Sequence, residues 1–174
     1  MIDYQAIIDY YYPEKEVPEL RHILMTHSRQ VAEKAVKIVD AHPELGADRD
    51  FVYAAAMLHD IGIIRCDAPS IHCHGTEPYL KHGVEGATLI EEAIPPAGGK
   101  TRGGLSRVCA RHTGTGLPGL EPETIEEQII CYADKFFSKT KLEKEKTYEE
   151  ACRSLMKFGE AGLKKFEAWH RRFL

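Results

Sequence analysis

The sequence predicts an all-α fold, arranged as a compact single-domain helical bundle. Apolar residues recur at three- and four-residue steps along most of the chain, and glycine and proline separate the segments that have this period. The alternation of apolar and polar residues that is typical of half-buried strands is scarce. With 174 residues, of which 43% are hydrophobic and 29% charged, the chain is long enough to build a core of its own.

The first long helix is predicted from Pro18 to about His42. Proline suits the first helical position, and the His42-Pro43 step ends the pattern. His27 interrupts the apolar stripe of this helix, so we expect its side chain to point inward.

A second helix is predicted from about Asp48, as the N-cap, to Ile61, with Gly62 as the C-terminal cap. It places His59 and Asp60 in its last turn. The carbonyl end of a helix carries partial negative charge, which favours a cation beside it. Both side chains can therefore reach one ion at the helix end.

Three further helices are predicted after an irregular segment over 63–81. One opens at His82 and stops at two prolines, one carries His112 in its last turn, and one starts at Pro122 and carries Asp134 beside its apolar stripe. His72, Cys73 and His74 lie in the irregular segment. A polar loop with an incidental cysteine is the simplest interpretation, and a lid or a general acid remains open.

We expect one domain over residues 1–174, with its motif core over about 20–140 and a C-terminal helix over about 147–174 that packs on the core. The stretch over 139–146 has mixed charge and is predicted to be a solvated turn. Thr147 and Glu150 form a capping box before the last helix. The apolar stripe of that helix is interpreted as core packing, and it consists of Leu155, Phe158, Gly162, Phe166, Trp169 and Phe173.

Composition limits the partners and the compartment. A net charge of −4 argues against a broad nucleic-acid surface, although a small phosphorylated ligand could still bind in a local positive pocket. No segment approaches the roughly 18 apolar residues of a membrane span. Five cysteines without a CxxC pair favour a reducing cytoplasm, and the first residues do not resemble a secretory signal. The oligomeric state stays open.

Six residues combine into a candidate metal site. A single inward histidine is usually a hydrogen-bonded core residue, but burying so many titratable groups without compensation would be costly. Metal coordination is the simplest compensation, and neutral imidazole with carboxylate suits divalent transition metals. The candidate ligands are His27, His59, Asp60, His82, His112 and Asp134.

These residues resemble a known family. The run His59-Asp60-Ile61-Gly62 matches the HDIG signature of the HD-domain metal-dependent phosphohydrolases, with His27 and Asp134 at the positions of its outer ligands. The other two histidines, in Lys81-His82-Gly83 and Arg111-His112-Thr113, match the additional ligands of the small single-domain binuclear subset. That layout is similar to the bacterial diadenosine-tetraphosphate hydrolases.

The resemblance implies two divalent metal ions. One would take His27, His59, Asp60 and Asp134, and the other would take His82 and His112, with Asp60 bridging the two and a hydroxide between them as the nucleophile. Iron and manganese are favoured, and the same donors admit zinc, cobalt and nickel. Lys135 and Arg65 lie beside the motif residues and are predicted to hold phosphate oxygens, a stronger expectation than for Arg111.

The leading functional hypothesis is hydrolysis of a phosphoester or phosphoanhydride in a small molecule, with a nucleotide as the expected substrate. Dinucleoside polyphosphates and nucleoside monophosphates are the two main candidates. Cyclic dinucleotides are disfavoured because the chain lacks the GYP element of the relevant relatives. Two hypotheses from other classes stay open: a mixed-valent di-iron oxygenase of the same fold, and a nucleotide sensor without turnover.

Overall fold

The computed structural model describes residues 2–114 and 118–174. Within these ranges the chain forms α-helices, short 3₁₀ turns and two small hairpins, which confirms the all-α prediction. The helices are α1 (Tyr4–Tyr11), α2 (Pro18–Ala41), α3 (Arg49–Leu58), α4 (His82–Ala93), α5 (Gly99–Arg111), α6 (Ile125–Asp134), α7 (Tyr148–Met156) and α8 (Glu160–Phe173). The strands are β1 (Asp67–Ala68), β2 (Cys73–His74), β3 (Phe137–Ser138) and β4 (Lys141–Glu145).

Helices α2 to α6 form the part of the bundle that holds the candidate ligands. Helix α2 packs against α3 and α6, and α4 packs against α5. Their facing side chains are fully or almost fully buried and include Leu24, Val31, Leu58, Leu105 and Ile129. No helix within the described ranges is both long and apolar enough to cross a membrane.

Helix α3, which leads into the HDIG run, is shorter than predicted. Asp48 is its N-cap, as expected, and accepts a hydrogen bond from the Phe51 N–H. The α-helix ends at Leu58, and a 3₁₀ turn over Ile61–Arg65 follows. His59 and Asp60 therefore lie between two helical segments, where their side chains can diverge from the helix axis.

Helix α1, which the sequence pattern did not predict, anchors this 3₁₀ turn. The buried Tyr12 follows α1 directly. Its hydroxyl donates to the Ile61 carbonyl (2.5 Å) and accepts from the Ile64 N–H (3.1 Å). Two backbone groups of the turn are thereby satisfied away from water.

Helix α6 begins at Ile125, so the predicted start at Pro122 is wrong. Thr124 is the N-cap because it forms a capping box with Glu127. Its hydroxyl accepts from the Glu127 N–H, and the Glu127 carboxylate accepts from the Thr124 N–H. Asp134 is the last residue of the helix.

The stretch over 139–146 is mostly exposed, as predicted, but it forms part of a hairpin and not a turn alone. Strands β3 and β4 pair antiparallel and form a hairpin, with Lys139 in its turn. The side chain of Lys139 is 13% exposed and points toward the bundle, where it pairs with Asp60. The buried carboxylate of Asp60 therefore withdraws Lys139 from water, whereas the other lysines of the stretch stay in contact with solvent.

The predicted C-terminal helix over 147–174 is two helices, α7 and α8. The expected capping box of Thr147 and Glu150 is present at the start of α7. Gly159 interrupts the helix with a φ of 107°, a conformation that side chains other than glycine rarely adopt. The break turns Phe158 outward, where it is 74% exposed, whereas Phe166 is 1% exposed.

Replacing Phe166 with alanine is expected to destabilise the protein by about 3–5 kcal/mol, because it leaves a cavity among Tyr132, Phe136 and Tyr148. Urea denaturation followed by circular dichroism would measure the free energy of unfolding. Phe158→Ala is the matched control and should change that free energy by less than about 0.5 kcal/mol. Equal losses in the two variants would contradict this assignment of the core.

Candidate metal centre

The six predicted ligands converge in the structure. The donor atoms form two groups, and within each group they lie within 4.8 Å of one another. The first group consists of His27, His59, Asp60 and Asp134, and the second consists of Asp60, His82 and His112. The grouping coincides with the division that the family resemblance implied.

Asp60 belongs to both groups and is fully buried. Its Oδ2 atom lies 3.1 Å from His27 Nε2 and 3.2 Å from His59 Nε2. Its Oδ1 atom lies 3.2 Å from His82 Nε2 and 3.1 Å from His112 Nε2. One carboxylate thus turns a separate oxygen toward each pair of imidazoles.

Three of the histidines share one hydrogen-bond pattern. The Nδ1 atoms of His59, His82 and His112 each lie 2.6–2.7 Å from the backbone carbonyl three residues earlier. Since a carbonyl only accepts, each Nδ1 carries the proton and donates it. Each Nε2 is then directed into the centre, which is the orientation that a second hydrogen bond gives to a metal ligand.

The second group contains an unfavourable contact unless a cation is shared. His82 Nε2 and His112 Nε2 lie 2.9 Å apart. With both Nδ1 atoms protonated, neutral rings would direct two lone pairs at each other. A proton or a metal ion between the two nitrogens removes that repulsion.

Glycine 62 allows the helix that carries His82 to approach the HDIG segment. A Cβ atom at Gly62 would lie 2.1 Å from the His82 carbonyl oxygen and 2.3 Å from the Gly86 nitrogen. No larger side chain fits between these backbones. Gly62 is therefore needed for close packing of α4, and it is not the C-terminal cap that the sequence predicted.

The titratable groups of the first group are strongly coupled. Burial opposes a charge on His59, but the carboxylates of Asp60 and Asp134 raise its pKa to about 10. Burial also opposes ionisation of the two aspartates. Nearby Lys139 and His59 nevertheless hold the Asp60 pKa well below its usual range, and Lys135 and His27 do the same for the pKa of Asp134. Without metal, His59 carries a positive charge that holds two carboxylates together.

His112 differs from His59 because burial lowers its pKa to about 4, although Asp60 acts in the opposite direction. It is therefore neutral near pH 7, the form in which imidazole binds metals.

The donor set fits divalent cations. Both Asp60 oxygens are buried without a hydrogen bond of good geometry, although several nitrogens surround the carboxylate. Unsatisfied buried polar atoms are costly. Donors about 2.1 Å from a cation and at right angles around it are separated by about 3 Å. The observed contacts of 2.9–3.3 Å among these atoms match that separation.

Lys139 is the residue of the centre that the sequence did not predict. Its Nζ atom lies 2.7 Å from Asp60 Oδ2 and 5.6 Å from the centre of the Tyr79 ring. The lysine-rich stretch around it resembles an ordinary solvated surface, so the local composition gave no indication that Lys139 is buried. The signal that was available is its position five residues after the ligand Asp134.

Of the two predicted phosphate-binding residues, the structure brings one to the centre. Lys135 Nζ donates to Asp134 Oδ2 (3.2 Å) and to the His112 carbonyl (3.0 Å), so it joins the two donor groups. The side chain of Arg65 is 43% exposed and pairs with Glu92 at 3.3 Å. It is not among the residues that line the cavity next to the six candidate ligands, which is described below. Its predicted role therefore has no support from its position.

Arg111 is likewise occupied elsewhere, because its guanidinium binds the Glu121 carbonyl and Glu123. In the loop before α4, Cys73 is buried while His72 and His74 are exposed. Across the described parts of the chain, neither histidine belongs to a group of potential metal ligands.

A cavity of about 580 Å³ opens beside the centre. Asp134 and Lys139 line it on the side of the ligands, and Tyr79, Phe137 and Phe158 provide aromatic surface. The volume falls within the range typical of small-molecule sites. The cavity therefore reaches the edge of the centre at Asp134 and offers both charged and aromatic surface there.

Comparison with known proteins places this architecture in a family. A family model described as HD domain matches residues 24–138. The chain is similar to a tRNA (cytidine(56)-2'-O)-methyltransferase from Picrophilus torridus, with 27% identity over 128 residues, 67% of this chain and 32% of the relative. A protein of the same name from Thermoplasma volcanium is 29% identical over 128 residues, 66% of this chain and 32% of the relative. The chain spans about a third of the length of these curated relatives, and no solved structure matches it.

Single substitutions should separate the two groups of ligands. His82→Ala is expected to lower the bound metal from about two equivalents to about one, and Asp60→Asn should deplete both, because one carboxylate serves both groups. Each folded variant would be loaded with manganese or iron and dialysed, and elemental analysis would then measure the number of metal ions bound per chain. His22→Ala, on the exposed face of α2, is the control and should keep the full content. Full metal in Asp60→Asn would contradict the bridging role.

Metal binding is expected to release protons. Because the pKa of His59 is about 10 without metal, a cation must displace its proton at neutral pH. The affinity for manganese should therefore rise with pH, by about tenfold per unit for each proton released. Titrations with manganese at about pH 6.5, 7.5 and 8.5 measure how the affinity changes with pH. An affinity that is constant over this range would contradict a protonated His59.

Proposed function

Because this chain belongs to the HD-domain family, we propose that it is a metal-dependent phosphohydrolase. Its substrate is a small phosphorylated molecule, with a nucleotide favoured, and the bond cleaved is a phosphoester or phosphoanhydride. The proposal depends most on one observation: buried Asp60 turns one oxygen toward His27 and His59 and the other toward His82 and His112.

Each group of residues would hold one of two cations. His27, His59, Asp60 and Asp134 would hold one divalent cation, and Asp60, His82 and His112 would hold the second. When bound, two such cations lower the pKa of a water molecule and neutralise charge on an attacked phosphoryl group. The backbone carbonyls behind His59, His82 and His112 accept from each Nδ1 and so direct each Nε2 inward, where a cation would replace the Nε2 proton of His59.

Lys139 is the residue best placed to bind the reacting phosphate. It lines both the centre and the cavity, and its ammonium group is held by Asp60 in the metal-free protein. With cations at the Asp60 oxygens, Lys139 would no longer need that carboxylate as its partner. Its positive charge is then available to a phosphoryl oxygen at the mouth of the centre.

Aromatic residues of the cavity favour a nucleotide. Phe158 is 74% exposed and lies at the cavity with Tyr79 and Phe137. An exposed aromatic ring at a cavity provides a surface on which a base can stack. A phosphate at Lys139 and a base against these rings would use both kinds of surface.

The similarity to diadenosine-tetraphosphate hydrolases suggests dinucleoside polyphosphates as the first substrates to test, with nucleoside monophosphates as the main rival. The names of the curated relatives describe methyl transfer to tRNA. Those matches cover about a third of each relative, and we do not propose methyl transfer for this chain.

Phosphate release tests the proposal and separates it from the two other hypotheses. Protein reconstituted with iron or manganese would be supplied with a nucleotide panel under anaerobic conditions. Phosphate or nucleotide products without oxygen support a hydrolase. Consumption of dioxygen coupled to a reduced iron pair, with no phosphate released, would instead indicate a di-iron oxygenase. Tight nucleotide binding without any product would indicate a sensor.

Lys139→Gln is expected to lower kcat/KM for the best substrate by roughly 10- to 100-fold, because it removes a charged donor to the phosphoryl group. Metal content should stay close to that of the wild type, which distinguishes substrate binding from loss of the centre. Lys100→Gln, an exposed lysine on α5, is the matched control and should keep kcat/KM. Unchanged kcat/KM in Lys139→Gln would remove this residue from the reaction.

A further inference from the structure

A second cavity of about 400 Å³ concentrates positive charge in a chain whose net charge is −4. We call it the basic groove. It is formed by the β3–β4 hairpin and helix α7. Its charged lining residues are Lys141, Lys144, Lys146, Arg153, Lys157 and Glu150.

Most of the positive charge in the basic groove is unpaired. Glu150 accepts from Lys144 at 3.0 Å. Throughout residues 2–114 and 118–174, the side chains of Lys141, Lys146, Arg153 and Lys157 have no hydrogen bond or ion pair. Like charges held in one groove repel each other, so their clustering lowers stability unless an anion binds.

The basic groove adjoins the cavity at the centre. Ser138 and Lys146 line both. Burial lowers the pKa of Lys146, and the charges of Asp134 in the centre and Lys157 in the groove both act on it. Lys146 is therefore within electrostatic reach of the candidate metal ligands and of the groove at the same time.

We propose that the basic groove binds a second phosphate of the substrate. The reacting phosphate lies at the centre near Lys139, and a distal phosphate lies against Lys146, Arg153 and Lys157. The substrate class is therefore a nucleotide that carries a chain of phosphates. This inference rests on the proposed function, which it makes more specific. Arginine binds a phosphate through two parallel hydrogen bonds, and lysine adds point charges beside it.

A phosphate chain fits the basic groove better than a nucleic-acid strand does. Strand binding needs a basic surface that extends along many phosphates. Here the positive surface is limited, because Glu143 and Glu145 of the same hairpin line a neighbouring cavity. The basic groove is therefore a short positive region beside a cavity of mixed charge, which Glu33, Glu143, Glu145, Lys34 and Lys37 line.

Binding of inorganic tripolyphosphate tests the proposal without turnover. The full-length, metal-free protein would be titrated by calorimetry in the presence of a chelator. Tripolyphosphate is expected to bind more tightly than inorganic phosphate. The double substitution Arg153→Gln with Lys157→Gln should weaken tripolyphosphate binding by roughly tenfold or more. Both residues are exposed, so the fold should be retained.

A control with the same change in charge is Lys15→Gln with Lys100→Gln, two exposed lysines that line neither cavity. This control should bind tripolyphosphate like the wild type. Equal Kd values in the groove variant and the wild type, or equal losses in the groove variant and the control, would overturn the proposal. A single-stranded oligoribonucleotide that binds more tightly than tripolyphosphate, and loses affinity in the groove variant, would also overturn it in favour of nucleic acid.

The binding experiment and the hydrolysis assay can succeed or fail independently of each other. If tripolyphosphate binds through Arg153 and Lys157 but no nucleotide is cleaved, the basic groove stands and the hydrolase proposal fails. If nucleotides are cleaved but the groove variant binds tripolyphosphate normally, the hydrolase proposal stands and the groove proposal fails.

Discussion

The structure depends on one buried carboxylate, that of Asp60, which is surrounded by four imidazoles and an ammonium group. Removing a carboxylate from water is expensive unless opposite charge and hydrogen bonds replace the lost hydration. The protein brings four separate helices and a hairpin to this side chain, and each supplies positive or titratable nitrogen. The bundle is therefore organised around the positive charge that this carboxylate requires, and the nitrogens gathered there are compatible with divalent metal ions as well as with protons.

The sequence was sufficient to predict which candidate ligands converge, because helix periodicity and the resemblance to the HDIG pattern select the same residues. Helix periodicity places His27 on an inner face, and His59 and His112 both lie just after the last turn of a helix. Local rules of helix formation also gave the start of α2 and the N-cap of α3. They do not report contacts between distant segments, so α1 and the contact of Tyr12 with the HDIG turn were not predicted.

The other differences between the predicted and the observed elements have definite physical causes. The α6 start was displaced by the stronger capping box at Thr124, and the last helix is broken at Gly159 because its φ of 107° ends helical geometry. Lys139 was missed because a lysine in a charged stretch normally faces water, and only the distant Asp60 makes its burial favourable. Each case is a tertiary interaction that overrides a local preference.

The residues proposed to bind the substrate phosphates follow the family match in the chain. All six candidate ligands lie within residues 24–138, whereas Lys139 and the basic residues of the groove lie beyond it, between 139 and 157. A metal centre sets the type of chemistry, and the surrounding pocket selects the substrate. The hairpin and α7 place five basic side chains next to a centre that the family match already covers. Under the proposed function, substrate choice would be set by the short segment that follows the last candidate ligand. That segment is tied to the helices of the centre, because Lys139 pairs with Asp60 and Glu145 pairs with Lys34 of α2.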